Sequence, residues 1–332
     1  MKNIFVSKNE PKLRLVYADH LEDLMASGEF DTHIYTRDEI IDGNLVFDGT
    51  EALFSTWGMP RFSEEEIKRH FPDLKAVFYA AGTVQGFARE FLSVGVRVFS
   101  AWAANAVPVA EYTVAQILLA GKGFFAHTRE MKQCHFENCN VLKDNYPGNY
   151  GEKIGIIGVG MIGAMVAERL CDYRLNVLAF DPFLPEERAK ELNITKCSLE
   201  ELFASCRVIS NHLANNEQTK GMLTYAHFSS MLPYATFLNT GRGAQVAESD
   251  LARALTERPD LTAVLDVTEP EPPIEGHPFY TLPNCFLTPH IAGSLNQETH
   301  RMAEYAITEY ENLKKGLPTK YEVTLKMLET MA

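Results

Sequence analysis

What this chain lacks narrows its possibilities before any motif is read. Its 332 residues hold only six cysteines, and no two of them stand at CxxC spacing. A disulfide framework is therefore not expected, and a reducing compartment is. His127, Cys134, His135 and Cys139 do fall close together, but their spacing fits no zinc pattern, and no metal is expected there. Excess positive charge is missing too: 31 Lys and Arg face 44 Asp and Glu, for a net charge of −13. That balance argues against nucleic acid or an anionic membrane as partner, since either needs clustered cations. A small anionic substrate needs only one or two local cations and is not excluded. No apolar run is long enough for a bilayer. The longest, Ala101 to Ala120, is interrupted by Asn105, Glu111 and Gln116. It reads as a buried helix with its lead-in, broken at Pro108. The opening Met1-Lys2-Asn3-Ile4-Phe5-Val6 leads at once into Lys8, Glu10, Lys12 and Arg14, the pattern of a first strand and not of a secretion leader. A cytoplasmic protein is expected. Internal repeats and a low-complexity linker are also missing.

What is present is ordinary in bulk and ordered in detail. A hydrophobic content of 46% and a charged content of 23% suit a globular protein long enough for two domains. Apolar runs recur through the first hundred residues, at Ile4–Val6, Leu45–Phe47, Ala52–Ser55, Ala76–Tyr79 and Val96–Phe99, with helical segments between them. Ser63-Glu64-Glu65-Glu66 is a capping box, and its carboxylates suit a solvated first turn better than acid chemistry. The same rhythm returns later, with a capped helix at Ser198 and strands at Arg207–Ser210, Ala235–Asn239, Leu261–Asp266 and Cys285–Thr288. Strands alternating with helices predict open, mostly parallel sheets.

The most specific motif stands in mid-chain. Lys153–Ile157 reads as a strand, Gly158-Val159-Gly160-Met161-Ile162-Gly163 as a turn, Ala164–Leu170 as a helix, and Asn176–Phe180 as a second strand ending on Asp181. The first glycine permits a tight turn, the second lets the backbone approach a pyrophosphate, and the third lets helix and strand pack closely. The acid accepts hydrogen bonds from a ribose. This order predicts dinucleotide binding. Asp181 is followed by Pro182 and Phe183 with no adjacent Arg, which favours NAD over NADP, because a carboxylate repels a 2′-phosphate.

Three further motifs lie at strand ends: Asn239-Thr240-Gly241-Arg242-Gly243, Asp266-Val267-Thr268-Glu269-Pro270-Glu271-Pro272 and Leu287-Thr288-Pro289-His290-Ile291-Ala292-Gly293. Reduction of a 2-keto acid needs a cation for the carboxylate, a proton donor for the carbonyl and a group that holds the donor. Arginine is a planar carboxylate clamp, and histidine is the natural acid near neutral pH. Taken singly, each of these residues also has a plain structural reading as a helix-start arginine, a loop histidine or a solvated acid.

Together the motifs resemble the D-isomer-specific 2-hydroxyacid dehydrogenase family over essentially the whole chain. GVGMIG with Asp181, NTGRG, DVTEPEP and LTPHIAG occur in that family's order, and Asn105–Glu111 is similar to its NAxxVAE segment. The resemblance implies an α/β fold of two doubly wound parallel-sheet domains. A Rossmann cofactor domain (104–292) would be inserted into a flavodoxin-like substrate domain (1–103 and 293–332). Crossings at Trp102–Val107 and Ile291–Ser294 would be hinges, and a dimerisation arm at about 108–148 implies a homodimer. The family's catalytic triad maps onto Arg242, Glu271 and His290. Glu269 and Glu271 both precede proline, and the family's spacing from Asp266 selects Glu271. The cofactor would meet Gly158, Gly160, Met161, Ile162, Gly163, Asp181, His212, Thr240, Gly241, Asp266 and Gly293. Substrate would meet Arg242, Ala81, Gly82, Thr83 and Trp57, with the amides of Gly82 and Thr83 binding its carboxylate.

The chain departs from the family pattern at His212-Leu213-Ala214, where relatives often have His-x-Pro, and at Thr83-Val84, where many carry Val-Asp. No Arg-rich loop awaits a phosphate, and the regulatory tail of longer relatives is not found. A small or apolar 2-keto acid is therefore expected over phosphoglycerate, with Phe54, Trp57 and Tyr79 suiting an apolar R-group. An NADH-sensing, corepressor-like protein is the alternative from a second functional class. A formate dehydrogenase fits less well, because that branch has Gln where Glu271 stands.

Overall fold

The computed structural model describes residues 2–133 and 140–329. The chain divides into two compact units, residues 1–106 with 294–332, and residues 107–293. Each is built on its own sheet. Among the described residues, no helix is long and apolar enough to cross a membrane.

In the first unit, β1 (Asn3–Val6), β2 (Phe30–Tyr35), β3 (Ala52–Ser55), β4 (Ala76–Tyr79) and β5 (Arg97–Ser100) run parallel in the order β2-β1-β3-β4-β5. A short antiparallel strand, Glu322–Val323, closes the β5 edge. All four residues of β3 and of β4 are buried, as expected where helices cover both faces of a parallel sheet. The core is aromatic. Phe54 stacks on Phe78 at 5.0 Å between ring centroids, Phe78 on Phe99 at 4.9 Å, and Tyr310 meets Phe54 edge-on at 5.3 Å. Such rings pack in offset or edge-to-face pairs, adding to the area that they bury. Phe54 is 0% exposed. It is a core residue, which overturns its assignment to the substrate wall.

Two other expectations are corrected in this unit. Leu45–Phe47 is not a strand. The Leu45 amide donates to the Ile40 carbonyl, the Phe47 amide donates to the His70 carbonyl, and the Phe47 ring stacks on Phe71, so this apolar run is a loop that buries Phe47 and leaves Val46 exposed. Conversely β2 was not legible, because Asp31, Thr32 and His33 give an edge strand a polar middle. The capping box at Ser63 is formed: its Oγ accepts from the Glu66 amide at 3.2 Å, and Glu66 Oε2 accepts from the Ser63 amide at 2.8 Å.

The helix Trp102–Gly121 corrects the reading at Pro108, which lies inside it. Proline forfeits one hydrogen bond, to the carbonyl four residues earlier. Ala110, Val114, Ile117 and Ala120 fall on one face, and all four are buried in the core of the second unit. Packing of that face outweighs the lost bond, and the helix continues.

The second unit carries β6 (Lys153–Ile157), β7 (Asn176–Phe180), β8 (Ile194–Lys196), β9 (Val208–Asn211), β10 (Thr236–Asn239), β11 (Thr262–Leu265) and β12 (Cys285–Leu287). They form one parallel sheet in the order β12-β11-β10-β9-β6-β7-β8. Strand order reverses between β6 and β9, so a crevice opens at their C-terminal ends. In open α/β sheets this is where ligands bind.

Candidate functional site

The crevice is shaped first by glycine. Gly158 has φ +84°, and a Cβ there would lie 2.8 Å from the His212 carbonyl oxygen. Only glycine fits the turn between β6 and the loop after β9. A Cβ on Gly163 would lie 2.1 Å from the Gly158 carbonyl oxygen, so this glycine sets how closely the helix Met161–Leu170 meets the turn. A Cβ on Gly160 would meet nothing within 4 Å. Gly160 is also the N-cap of that helix, with no side chain capping its amides. The turn is therefore rigid at its two ends and open in the middle. Met161 and Ile162 stand at the uncapped helix start, where free N–H groups attract an anion.

Asp181 follows β7 and pins this turn. Its Oδ2 accepts from the Val159 amide and its Oδ1 from the Phe183 amide, each at 2.8 Å. His212 follows β9, and its amide donates to the Ile157 carbonyl at 2.7 Å. Its Nε2 lies 2.9 Å from Ser210 Oγ, and Nδ1 is buried with no hydrogen-bond partner. Burial lowers its pKa to about 4, so the ring is neutral near pH 7.

A buried amide network builds the turn after β10. Asn211 Nδ2 donates to Asn239 Oδ1 at 3.1 Å and to Gln245 Oε1 at 2.6 Å. Asn239 Oδ1 accepts from the Gly241 amide, and its Nδ2 donates to the Arg242 carbonyl, both at 3.1 Å. Thr240 Oγ1 meets Thr113 Oγ1 at 3.1 Å. Arg242 is thereby fixed at its backbone, while one Nη1 bond to the Gly241 carbonyl at 2.8 Å steadies its side chain. Burial lowers the pKa of its guanidinium, and the Glu271 carboxylate raises it. Arg242 has no ion pair among the described residues, so its fork is free for a carboxylate. Asn211 and Gln245 were not singled out from the sequence. Their signal is weak, since amides on a strand end and in a loop name no partner until the chain folds.

Gly243 brings the next loop against this one: a Cβ there would lie 2.0 Å from the Thr268 carbonyl carbon. Beyond it, His290 Nδ1 lies 2.7 Å from Glu271 Oε1. The Glu269 amide donates to Glu248 Oε1 at 2.8 Å. Glu248 in turn faces His277 at 3.3 Å, an enclosed pair that sequence inspection missed. Asp266 shapes the turn that carries His290. Its Oδ1 accepts from Thr288 Oγ1 at 2.6 Å and the Ile291 amide at 2.8 Å, and its Oδ2 from the Ala292 amide at 2.8 Å. Asp266 is 2% exposed and is engaged in the turn, with Gly293 next in sequence. His290 itself has φ +54°, the left-handed region that few residues with a Cβ adopt. The imidazole is exposed, held on Nδ1 by a carboxylate and open at Nε2.

The first unit carries a loop with unpaired amides after β4. Ser100 Oγ donates to the Ala81 and Gly82 carbonyls, at 3.0 and 2.5 Å. Among the described residues, the amides of Gly82 and Thr83 have no acceptor. Ala81 is buried and Thr83 exposed. Trp57 is half-buried against the aromatic core, with the Lys12 ammonium 4.7 Å above its ring. Of the cluster His127, Cys134, His135 and Cys139, the last three lie outside the described residues. His127 Nδ1 bonds the Gly123 carbonyl at 2.7 Å.

Residues 114–292 match the family model described as D-isomer specific 2-hydroxyacid dehydrogenase, NAD binding domain. The D-3-phosphoglycerate dehydrogenase of Archaeoglobus fulgidus is 31% identical over 235 residues, covering 71% of this chain and 44% of that protein. The glyoxylate reductase of Korarchaeum cryptofilum is 34% identical over 167 residues, covering 50% of each. The chain thus spans about half the length of the curated relatives that it matches. Among solved structures, the apo D-mandelate dehydrogenase of Rhodotorula graminis matches with a TM-score of 0.78, covering 97% of this chain and 98% of that one. At 18% identity, that likeness shows the fold.

Proposed function

Because the chain belongs to the D-isomer specific 2-hydroxyacid dehydrogenase family and carries its NAD-binding domain, we propose that it is an NAD-dependent oxidoreductase interconverting a 2-keto acid and a D-2-hydroxy acid. The observation that carries this reading is the contact of His290 Nδ1 with Glu271 Oε1 at 2.7 Å, in the same unit as the unpaired Arg242.

Gly160 and the uncapped amides at Met161 and Ile162 suit a pyrophosphate, between the fixed points Gly158 and Gly163. Asp181 has a lone pair left on each oxygen for a ribose, and the unpartnered Nδ1 of His212 offers a further polar contact. Thr240, Gly241, Asp266 and Gly293 complete the proposed cofactor contacts, Asp266 by shaping its turn. When bound, NADH supplies the hydride that reduces the keto carbon. Arg242 holds the substrate carboxylate and keto oxygen through its free guanidinium edge. Within the first unit, the Gly82 and Thr83 amides are proposed substrate contacts, together with Ala81 and Trp57. Glu271 accepts the Nδ1 proton of His290, which leaves Nε2 to protonate the keto oxygen. In the reverse direction, neutral His290 takes that proton back. We also propose a homodimer formed through the segment 108–148, where Phe124 and Met131 are 46% and 47% exposed. Residues 134–139 of that segment lie outside the described residues.

A panel of 2-keto acids with NADH, read as loss of NADH absorbance, tests the activity. His290→Gln is expected to lower kcat by about 10²- to 10⁴-fold while NADH still binds. Near-normal turnover in that variant removes His290 from the acid role. Tight NADH binding without turnover of any 2-keto acid would make the chain a sensor instead.

A further inference from the structure

The first unit holds a pocket of about 660 Å³ at the C-terminal ends of β1 to β4. Its wall brings together Lys8 after β1, Arg37 and Asp38 after β2, Arg61 after β3, Tyr79 at the end of β4 and Thr83 beyond it. Three cations thus share one wall with a single carboxylate, in a protein whose net charge is −13. Arg37 is fixed in place, its Nε donating to the Arg61 carbonyl at 2.9 Å and its Nη2 pairing with Glu66 at 2.5 Å. Lys8 and Arg61 have no ion pair among the described residues. A surplus of one charge sign in a concave site draws a ligand of the other sign. The volume is that of a small-molecule site.

Thr83 belongs to this pocket and also to the loop proposed to bind the substrate carboxylate. A substrate anchored on that loop therefore extends toward Lys8 and Arg61. We infer that the substrate carries a second anionic group, a carboxylate or a phosphate, at the end remote from its 2-keto acid. Lys8 and Arg61 select that group, and Arg37 forms a fixed part of the wall. The inference rests on the proposed reductase reading for what the other end of the substrate is. It replaces the expectation of a small or apolar R-group, which followed from the lack of an Arg-rich loop. The cations come from three loops, none of them rich in arginine.

Calorimetric titration compares each ligand with a partner that lacks the remote anionic group. 2-Ketoglutarate is set against 2-ketovalerate with NAD⁺ present, and D-3-phosphoglycerate against D-glycerate with NADH present, so that neither mixture turns over. In at least one pair the dianion should bind about tenfold more tightly, and the pair that responds tells carboxylate from phosphate. Arg61→Gln and Lys8→Gln should each cut that advantage to about threefold or less and leave monoanion binding unchanged. Raising the salt concentration should erode the advantage in the unaltered protein, which needs no variant to fold. Equal affinities within both pairs, or an advantage that survives both substitutions, would overturn the inference. A parallel NADH oxidation assay with the same keto acids separates the two claims. No oxidation by these or by any acid of the wider 2-keto acid panel, a phosphorylated one included, ends the reductase reading, while the affinity comparison still stands.

Discussion

The two units build the sites proposed for an anion in different ways. In the second, the crevice after β6 is made of backbone: a glycine at φ +84°, a glycine with open space around it and a helix start without a side-chain cap. In the first, the pocket after β1 to β4 is made of side chains, with Lys8, Arg37 and Arg61 brought from three loops. Backbone sites demand particular residues at fixed spacing, because few residues tolerate the conformation. Side-chain sites demand only that charges meet in space, and many sequences achieve that. The difference explains why one unit announces its ligand and the other does not.

The comparison can be broken most forcefully at the aromatic core of the first unit. Phe54→Ala is expected to cost about 3–5 kcal/mol, measured by urea unfolding, and to leave the ranking of 2-keto acids unchanged. A shift in ranking toward bulkier apolar acids would return Phe54 to the substrate wall. In the second unit, Gly163→Ala should cost about 1–3 kcal/mol, since its Cβ would collide with the Gly158 carbonyl. Gly160→Ala should leave stability within about 0.5 kcal/mol yet weaken NADH binding, because its Cβ fills open space. If both variants behaved alike in stability and in NADH titration, the division between a packed and an open glycine would fail.

A further effect is one of pH. The ordinary pKa of His212 is 6.5, and burial holds it at about 4. The unfolded chain therefore takes up a proton at this site where the folded protein does not. The associated stability is present above pH 6.5, is lost as the pH falls from 6.5 toward 4, and levels off below. Urea midpoints on either side of that window should show a steeper fall for the unaltered protein than for His212→Asn. Parallel curves would mean that His212 titrates normally.

Legibility followed the same physical line inside the fold. The runs at Ile4–Val6, Ala52–Ser55 and Ala76–Tyr79 are buried strands of a parallel sheet, and continuous apolar character is what such strands require. Phe30–Tyr35, at the sheet edge, needs no such character and gave no signal. Pro108 signals a break by its own chemistry, yet the buried face Ala110, Val114, Ile117 and Ala120 carries the helix past it. Glu269 and Glu271 share the same local context in sequence. Only the fold sends one amide to Glu248 and the other carboxylate to His290.

By itself, the sequence determined two parallel sheets, the nature of the cofactor and the motifs from which the candidate site is built. Those features are local, written in runs of burial and in glycines whose backbone nothing else can adopt. Only the tertiary structure decided that Phe54 is core, that Asp266 holds the His290 turn, and that three separated cations share one pocket. These are meetings between residues far apart in the chain, where the energy comes from the partner, and a sequence names residues without naming partners.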